Sequence, residues 1–355
     1  MKIASGLPIR AVPYIRLARR IISGRGSIAA VSYDREVLCP EEIEDQSASF
    51  FLRHQFERVT GTHLGNSREL IQDEIRRAVT REAPHAPTIA YKIRNAVLFD
   101  GSVYAKNHKI RLIESGRHSS GIAQLGEAAL VSTQVGCTHF AHWLLDDCLQ
   151  YQLASDLQLE PLSVPLNYRD LSGYAELLEQ PKVSSHRAWI AELTVFQDFS
   201  QNSLKRKRYE VLRTRLANKL PPPQSRNDLI YLKRGKTGAA RIVENEDEIE
   251  SALLKQGFTI IDIASAPLHE VLRSLLGARL VISMEGSHLA HCILTMQRGS
   301  AIITLQPPDR LVSLFRGYCE CLGVRFGFTI GTKGETGSRF DMNEMQTLIS
   351  LIAGS

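Results

Sequence analysis

A two-domain α/β protein, its second domain built on a parallel sheet, is the fold class the sequence predicts, and three observations predict it. Between Asp228 and Leu322, short and almost continuously apolar strands alternate with helix-like segments, the pattern of a parallel sheet covered on both faces. The chain has 355 residues, of which 43% are hydrophobic and 23% charged, enough for two globular domains of ordinary size. A run of three prolines, Pro221-Pro222-Pro223, ends a long basic helix and marks a boundary, because proline cannot continue a helix.

Taken in order, residues 1–85 read as an N-terminal helical, basic extension. Pro13 to Ser23 holds Arg16, Arg19 and Arg20 among apolar residues. It is either a solvated helix face or a basic amphipathic helix on the cytoplasmic face of a membrane. No apolar run reaches the ~18 residues of a transmembrane helix, and no signal-peptide core precedes a cleavage site. Residues 41–81 have a polar, helix-like pattern.

Residues 86–222 form the next predicted domain. Ile89–Tyr91, Ala96–Phe99 and Ile110–Ile113 read as antiparallel strands parted by turns at Asp100-Gly101 and Asn107-His108. Ala128–Thr133 is a strand, His142–Ala154 a helix, Leu162–Asn167 a strand, Tyr174–Glu179 a helix, Ala188–Phe196 a strand and Phe199–Leu220 a long helix. The third predicted domain, 223–340, runs through strands at Asp228–Lys233, Phe258–Ile263, Leu280–Ser283 and Ser300–Leu305. Helices at Glu246–Gln256, Leu268–Leu276, Ser287–Thr295 and Arg310–Leu322 lie between and after them. Residues 341–355 hold a last helix, expected to return to the first domain.

The net charge of +5 favours anionic partners without choosing among them. No zinc-finger or RRM signature accompanies it, so nucleic acid is not expected. The six cysteines, Cys39, Cys137, Cys148, Cys292, Cys319 and Cys321, form neither a CxxC pair nor a zinc spacing and read as reduced thiols of a cytosolic protein.

In a doubly wound domain, ligands bind outside the carboxyl ends of the strands. Three loops have that address. The first carries Lys233, Arg234, Gly235, Lys236, Gly238 and Arg241, either a phosphate grip or a solvated basic turn. The second is Met284-Glu285-Gly286-Ser287-His288. Gly286 permits close backbone approach, Ser287 opens a helix whose N-terminus attracts phosphate, and Glu285 suits ribose or sugar hydroxyls; alternatively Glu285 caps the helix and His288 faces solvent. The third, Gln306 to Arg310, shapes a pocket rim. In the first half, His139, His142, Trp143, Asp146 and Asp147 cluster. His142 and Asp146, four apart on a helix, are either a proton-transfer pair or a structural one. P-loop, GxGxxG, GxSxG, HExxH and DxD motifs are lacking, so a cationic, metal-independent mode of diphosphate binding is expected, without a cofactor.

The stretches His142-Trp143-Leu144-Leu145-Asp146, Tyr231-Leu232-Lys233-Arg234, Arg241-Ile242-Val243-Glu244-Asn245-Glu246, Gly257-Phe258 and Leu280 to His291 together resemble glycosyltransferase family 61, over about residues 125–330. One departure from the family pattern stands out: Glu285 replaces its usual histidine, Ser287 its alanine and His291 its asparagine. The resemblance implies a GT-B-like fold, two Rossmann-like domains facing a cleft, and an inverting transfer from a nucleotide sugar of UDP type to a bacterial surface or capsular polysaccharide or a lipid-linked oligosaccharide. It implies Asp146 as general base assisted by His142, and Arg234, Arg241, Glu285, Gly286, Ser287 and His288 as donor ligands. His139, Trp143, Asp147, Asn245 and Glu246 are then acceptor-side or structural. Two alternatives stand beside it: transfer of a non-sugar group of the pyruvyl type, and a non-catalytic nucleotide-sugar-binding scaffold.

Overall fold

The computed structural model describes residues 8–23, 26–114, 121–222, 228–235 and 241–354. Pro223, Lys236 and Gly238 of the sequence reading lie outside the described residues. By its contacts the chain divides into two compact units, Met1–Glu42 with His85–Arg208, and Ile43–Pro84 with Tyr209–Ser355. The division falls inside the long helix, not at the prolines.

The first unit begins with helix α1 (Val12–Ser23) and an edge strand β1 (Asp34–Cys39). Strand β2 (Thr88–Phe99) then forms a meander with β3 (Ser102–Ala105) and β4 (His108–Arg111). The two strands expected within 89–99 are one. The polar break at Lys92–Asn95 that separates them in sequence is absorbed by Asn95 at φ 54, a left-handed conformation asparagine tolerates. Asp100-Gly101 makes the expected hairpin turn, with φ 44 and 75. Next come β5 (Ala123–Leu130), helix α2 (Cys148–Asp156), β6 (Glu160–Ser163), helix α3 (Leu171–Leu178), β7 (Val183–Ser184), β8 (Arg187–Gln197) and helix α4 (Ser203–Lys219).

Among the described residues these strands form one sheet of order β4-β3-β2-β8-β5-β6-β7, with β1 added to β2. It is antiparallel from β4 to β8 and parallel from β8 to β7. The first unit is thus mixed α/β and not a purely parallel Rossmann sheet. Ile93, Leu98, Val103, Leu130, Leu162, Ile190 and Leu193 form its core.

The second unit carries β9 (Leu229–Lys233), α5 (Glu246–Lys255), β10 (Thr259–Asp262), α6 (Leu268–Leu276), β11 (Leu280–Met284), α7 (Ala290–Thr295), β12 (Ala301–Gln306), α8 (Leu314–Leu322), β13 (Arg325–Ile330) and α9 (Met342–Ala353). The sheet is all parallel, in the order β10-β9-β11-β12-β13. This is the doubly wound order 2-1-3-4-5, whose switch point lies between β9 and β11. β11 and β12 are buried throughout, as their apolar runs predict.

Two expectations are corrected here. The C-terminal helix α9 does not return to the first domain. It packs on β13 of its own unit, placing Met345, Leu348 and Ile352 in the core with Tyr231, Ile282 and Leu305. Residues 43–84 are likewise not part of an N-terminal extension. They join the second unit, where Phe50 bridges to Gly327 beside β13. Strand β13, masked in sequence by the glycine inside Arg-Phe-Gly-Phe-Thr-Ile, supplies the surface for both.

Glu344 on α9 ties these parts together. Arg58 binds it through both guanidinium ends at 2.8 and 2.6 Å, and Gln55 donates to it at 2.8 Å. The Arg58 bond, against the opposing pull of burial and with help from His54 and Gln55, holds the Glu344 carboxyl down at about 2. A depressed carboxyl contributes stability at pH values above its unfolded pKa of ~4.3 and loses it as pH falls towards the folded value. Glu344→Gln is therefore expected to cost about 1–2 kcal/mol at neutral pH, after discounting for solvent screening. The difference from wild type disappears in acid between about pH 4 and 2. Urea unfolding across that range checks it.

Candidate functional site

Each unit holds one of the clusters seen in the sequence. In the first, the helix His142–Ala154 is present but widens into a π turn over Trp143–Asp147, a distortion frequent at functional sites. His142 Nδ1 lies 2.7 Å from Asp146 Oδ2. The other carboxylate oxygen of Asp146 accepts from Lys205 Nζ of α4, which also donates to Asp198 O at 3.1 Å. Asp146 and Lys205 are buried, whereas the His142 side chain is 21% exposed.

The charge balance sets the protonation. Burial pulls the Asp146 carboxyl up, but Lys205 and His142 outweigh it and hold the group below its ordinary value, so it is ionised. An ionised Asp146 requires the proton of the pair on His142 Nδ1, which leaves the imidazole lone pair on Nε2. The arrangement can therefore accept a proton through the exposed ring, with the carboxylate orienting it. A second buried pair braces the first: Arg208 clasps Asp198 at 2.8 and 2.7 Å, and Thr88 donates to Asp198 at 2.9 Å.

The neighbours fall into structural places. Asp147 accepts from Thr133 Oγ1 at 2.8 Å, and burial, only partly offset by Thr133, pushes its carboxyl well up. Trp143 is buried among Phe140, Tyr168 and Tyr174. His139 is exposed, its ring 6.2 Å from that of His142.

In the second unit, the loops after β9 and β11 meet at the switch point. Gly235, at φ 68, turns the first loop where a side chain would press to 2.7 Å from Ala264. Arg241 Nη1 donates to Glu285 O at 2.7 Å and stands 3.0 Å from its carboxylate; Arg310 Nε stands 3.8 Å from the same oxygen. A Cβ on Gly286 would lie 3.0 Å from both Arg234 Nε and Arg241 Nη1 and 2.9 Å from His288 Nδ1. Three guanidinium groups thus surround one carboxylate. Burial lowers Arg234, and lowers Arg241 to about 10 despite Glu285; both remain cations at neutral pH. Arg241 Nε is buried with no hydrogen-bond partner among the described residues.

His288 is only partly exposed and is hydrogen-bonded. Ser283 Oγ donates to Leu232 O at 2.6 Å, so it must accept from His288 Nε2 at 2.7 Å, leaving the Nδ1 lone pair towards the arginines. Burial first, then Arg234, His291 and Arg241, drive the His288 pKa well down and keep the ring neutral. Ser287 opens a 3₁₀ turn of three residues and the six-residue α7, not a long helix. Its expected dipole is short, and the positive charge here comes from side chains.

Other candidate residues of this unit have partners of their own. Asn245 exchanges two hydrogen bonds with the backbone of Phe340, at 2.9 and 3.1 Å. Glu246 accepts from Tyr231 at 3.0 Å, and Lys233 is paired with Glu250 at 2.5 Å. Among the described residues no group of three or more His, Cys, Asp and Glu is placed to hold a metal ion.

Lys205, 59 positions from Asp146, has no local signal in the sequence. Arg310, read from the sequence as part of a pocket rim, stands beside Glu285 with the other arginines. Lys205→Met would strand a buried carboxylate and is expected to cost about 3–5 kcal/mol. Adding Asp146→Asn recovers part of that loss, and the coupling is read from denaturant unfolding of the four proteins in the cycle.

Residues 140–303 match the family model described as Glycosyltransferase 61. Among solved structures the chain is similar to the bacterial iron-containing dodecameric glycosyltransferase TibC from enterotoxigenic E. coli H10407. The two share 10% identity and a TM-score of 0.29, with 62% of this chain and 75% of that one covered. No curated protein matches.

Proposed function

We propose that the chain is a glycosyltransferase of family 61, whose model residues 140–303 match, and that it takes its sugar from a nucleoside diphosphate sugar. One observation carries this: Arg234, Arg241 and Arg310 face the single carboxylate of Glu285 at the switch point of the parallel sheet. The surplus of positive charge, on planar groups that bind phosphate oxygens in pairs, suits two adjacent phosphates. These cations fill the role a metal ion plays in other sugar transferases, so the proposed mode needs none.

In this reading the second unit holds the donor and the first the acceptor. Glu285 accepts from ribose or sugar hydroxyls, and Gly286 lets the donor approach the backbone. The acceptor hydroxyl gives its proton to His142 Nε2 as its oxygen attacks the anomeric carbon and the nucleoside diphosphate leaves from the opposite face, inverting the centre. This exchanges the roles first read for the pair: Asp146 is buried with both oxygens engaged, so it positions His142 and stabilises its charged form. The donor is a UDP sugar and the acceptor a surface polysaccharide or lipid-linked oligosaccharide at the cytoplasmic side of a bacterial membrane.

A thermal-shift series with UDP, GDP and CMP, each with and without EDTA, tests the donor site. A ligand that binds only the folded state raises the midpoint. UDP is expected to raise it most, equally in EDTA. No shift with any nucleotide removes the reading.

A further inference from the structure

Helix α1 presents an apolar face outward. Its first turn is seated on the first unit, where Val12 packs against Ile9, Val97, Phe99 and Tyr104. Beyond that turn Tyr14 is 75% exposed, Leu17 46%, Ile21 78% and Ile22 83%. At 100° per residue, Tyr14, Leu17 and Ile21 fall within about 60° of one another, with Ile22 beside them. A solvated helix would show charge on this side. Here four large apolar groups form a stripe instead.

The charge on α1 itself is of one sign. Arg16, Arg19 and Arg20 lie on the helix and Arg10 just before it, and α1 contains no acidic residue. Lys109 and Arg111 of β4 add to the field: both Arg16 and Arg111 push the Lys109 pKa down, after burial. Among the described residues, carboxylates of this neighbourhood include Asp100 and Glu114, the latter 3.7 Å from Arg111. At 12 residues the helix is ~18 Å long, too short for a hydrocarbon core of ~30 Å, and no helix among the described residues is long and apolar enough to cross a membrane.

We propose that α1 docks the protein on an anionic lipid surface, lying in the interfacial plane with Tyr14, Leu17, Ile21 and Ile22 in the acyl boundary and Arg19 and Arg20 on lipid phosphates. An exposed apolar stripe with flanking arginines is what interfacial helices carry, and an anionic lipid surface is the partner that satisfies both. The proposal stands apart from the donor site and does not rest on it.

Co-sedimentation of the full chain with vesicles tests it. Wild type is expected to bind vesicles containing phosphatidylglycerol at least about tenfold more tightly than phosphatidylcholine alone, and to be released by salt. Ile21→Asp with Ile22→Asp, and separately Arg19→Glu with Arg20→Glu, are each expected to lose about tenfold or more. Both variants keep the wild-type thermal midpoint and its shift with UDP, which shows that the fold is intact. Equal binding to both vesicle types, or no binding by wild type, overturns the proposal. So does a self-association in sedimentation velocity that Ile21→Asp abolishes while vesicle binding persists, since the stripe would then serve a second copy.

Discussion

His142→Gln lowers turnover by about 10²–10⁴-fold while the affinity for UDP, measured by calorimetry, is unchanged. The size follows from losing a positioned base, and the separation from donor binding follows from His142 belonging to the first unit and the arginines to the second. Glutamine keeps a donor for Asp146 Oδ2 and removes the basic nitrogen, so the buried pair with Lys205 survives. Asp146→Asn is the poorer test, because it leaves the Lys205 ammonium buried without its counter-ion and confounds chemistry with stability. Combined with Lys205→Met it becomes informative: the protein refolds its charge balance, and the remaining loss of turnover measures what orienting His142 is worth. Wild-type turnover in His142→Gln would remove the proposed base.

Arg241→Ala weakens UDP binding by about 2–4 kcal/mol, roughly 30- to 1,000-fold. Arg241 is the best placed of the three guanidinium groups. It is half-buried, is anchored on the backbone oxygen of Glu285, and has a buried Nε unpartnered among the described residues. Desolvated charge pairs lose less to screening than surface ones, so the effect exceeds that of an exposed arginine. Arg241→Lys keeps the charge but loses the planar fork, and falls between wild type and alanine. Glu285→Gln decides the part played by the carboxylate through its sign. A ribose acceptor makes binding weaker on substitution. A counter-ion that the diphosphate must displace makes it tighter. Equal UDP affinity in wild type and Arg241→Ala would reduce the basic loop to a surface feature.

What was legible in the sequence is what local spacing encodes. The strand–helix alternation from Asp228 to Leu322, the ends of α6 and α9, and the Asp100-Gly101 hairpin follow from periodicity and turn chemistry, which neighbours along the chain fix by themselves. So does the pairing of His142 with Asp146, one helical turn apart. The loops at the carboxyl ends of β9 and β11 were found for the same reason, since the end of an apolar run marks the edge of a parallel sheet.

The tertiary structure decided everything that depends on distant partners. Which member of the His142–Asp146 pair meets solvent was set by Lys205, whose ammonium arrives on a helix far along the chain and keeps the buried carboxylate ionised. That the loops of Arg234, Arg241 and Glu285 meet, and that Arg310 joins them, follows from the strand order β10-β9-β11-β12-β13, which no single segment specifies. The placement of residues 43–84 and of α9 was likewise settled by β13, an interrupted strand whose two faces needed cover. Periodicity tells a segment which side it must bury; only the assembled sheet determines against what.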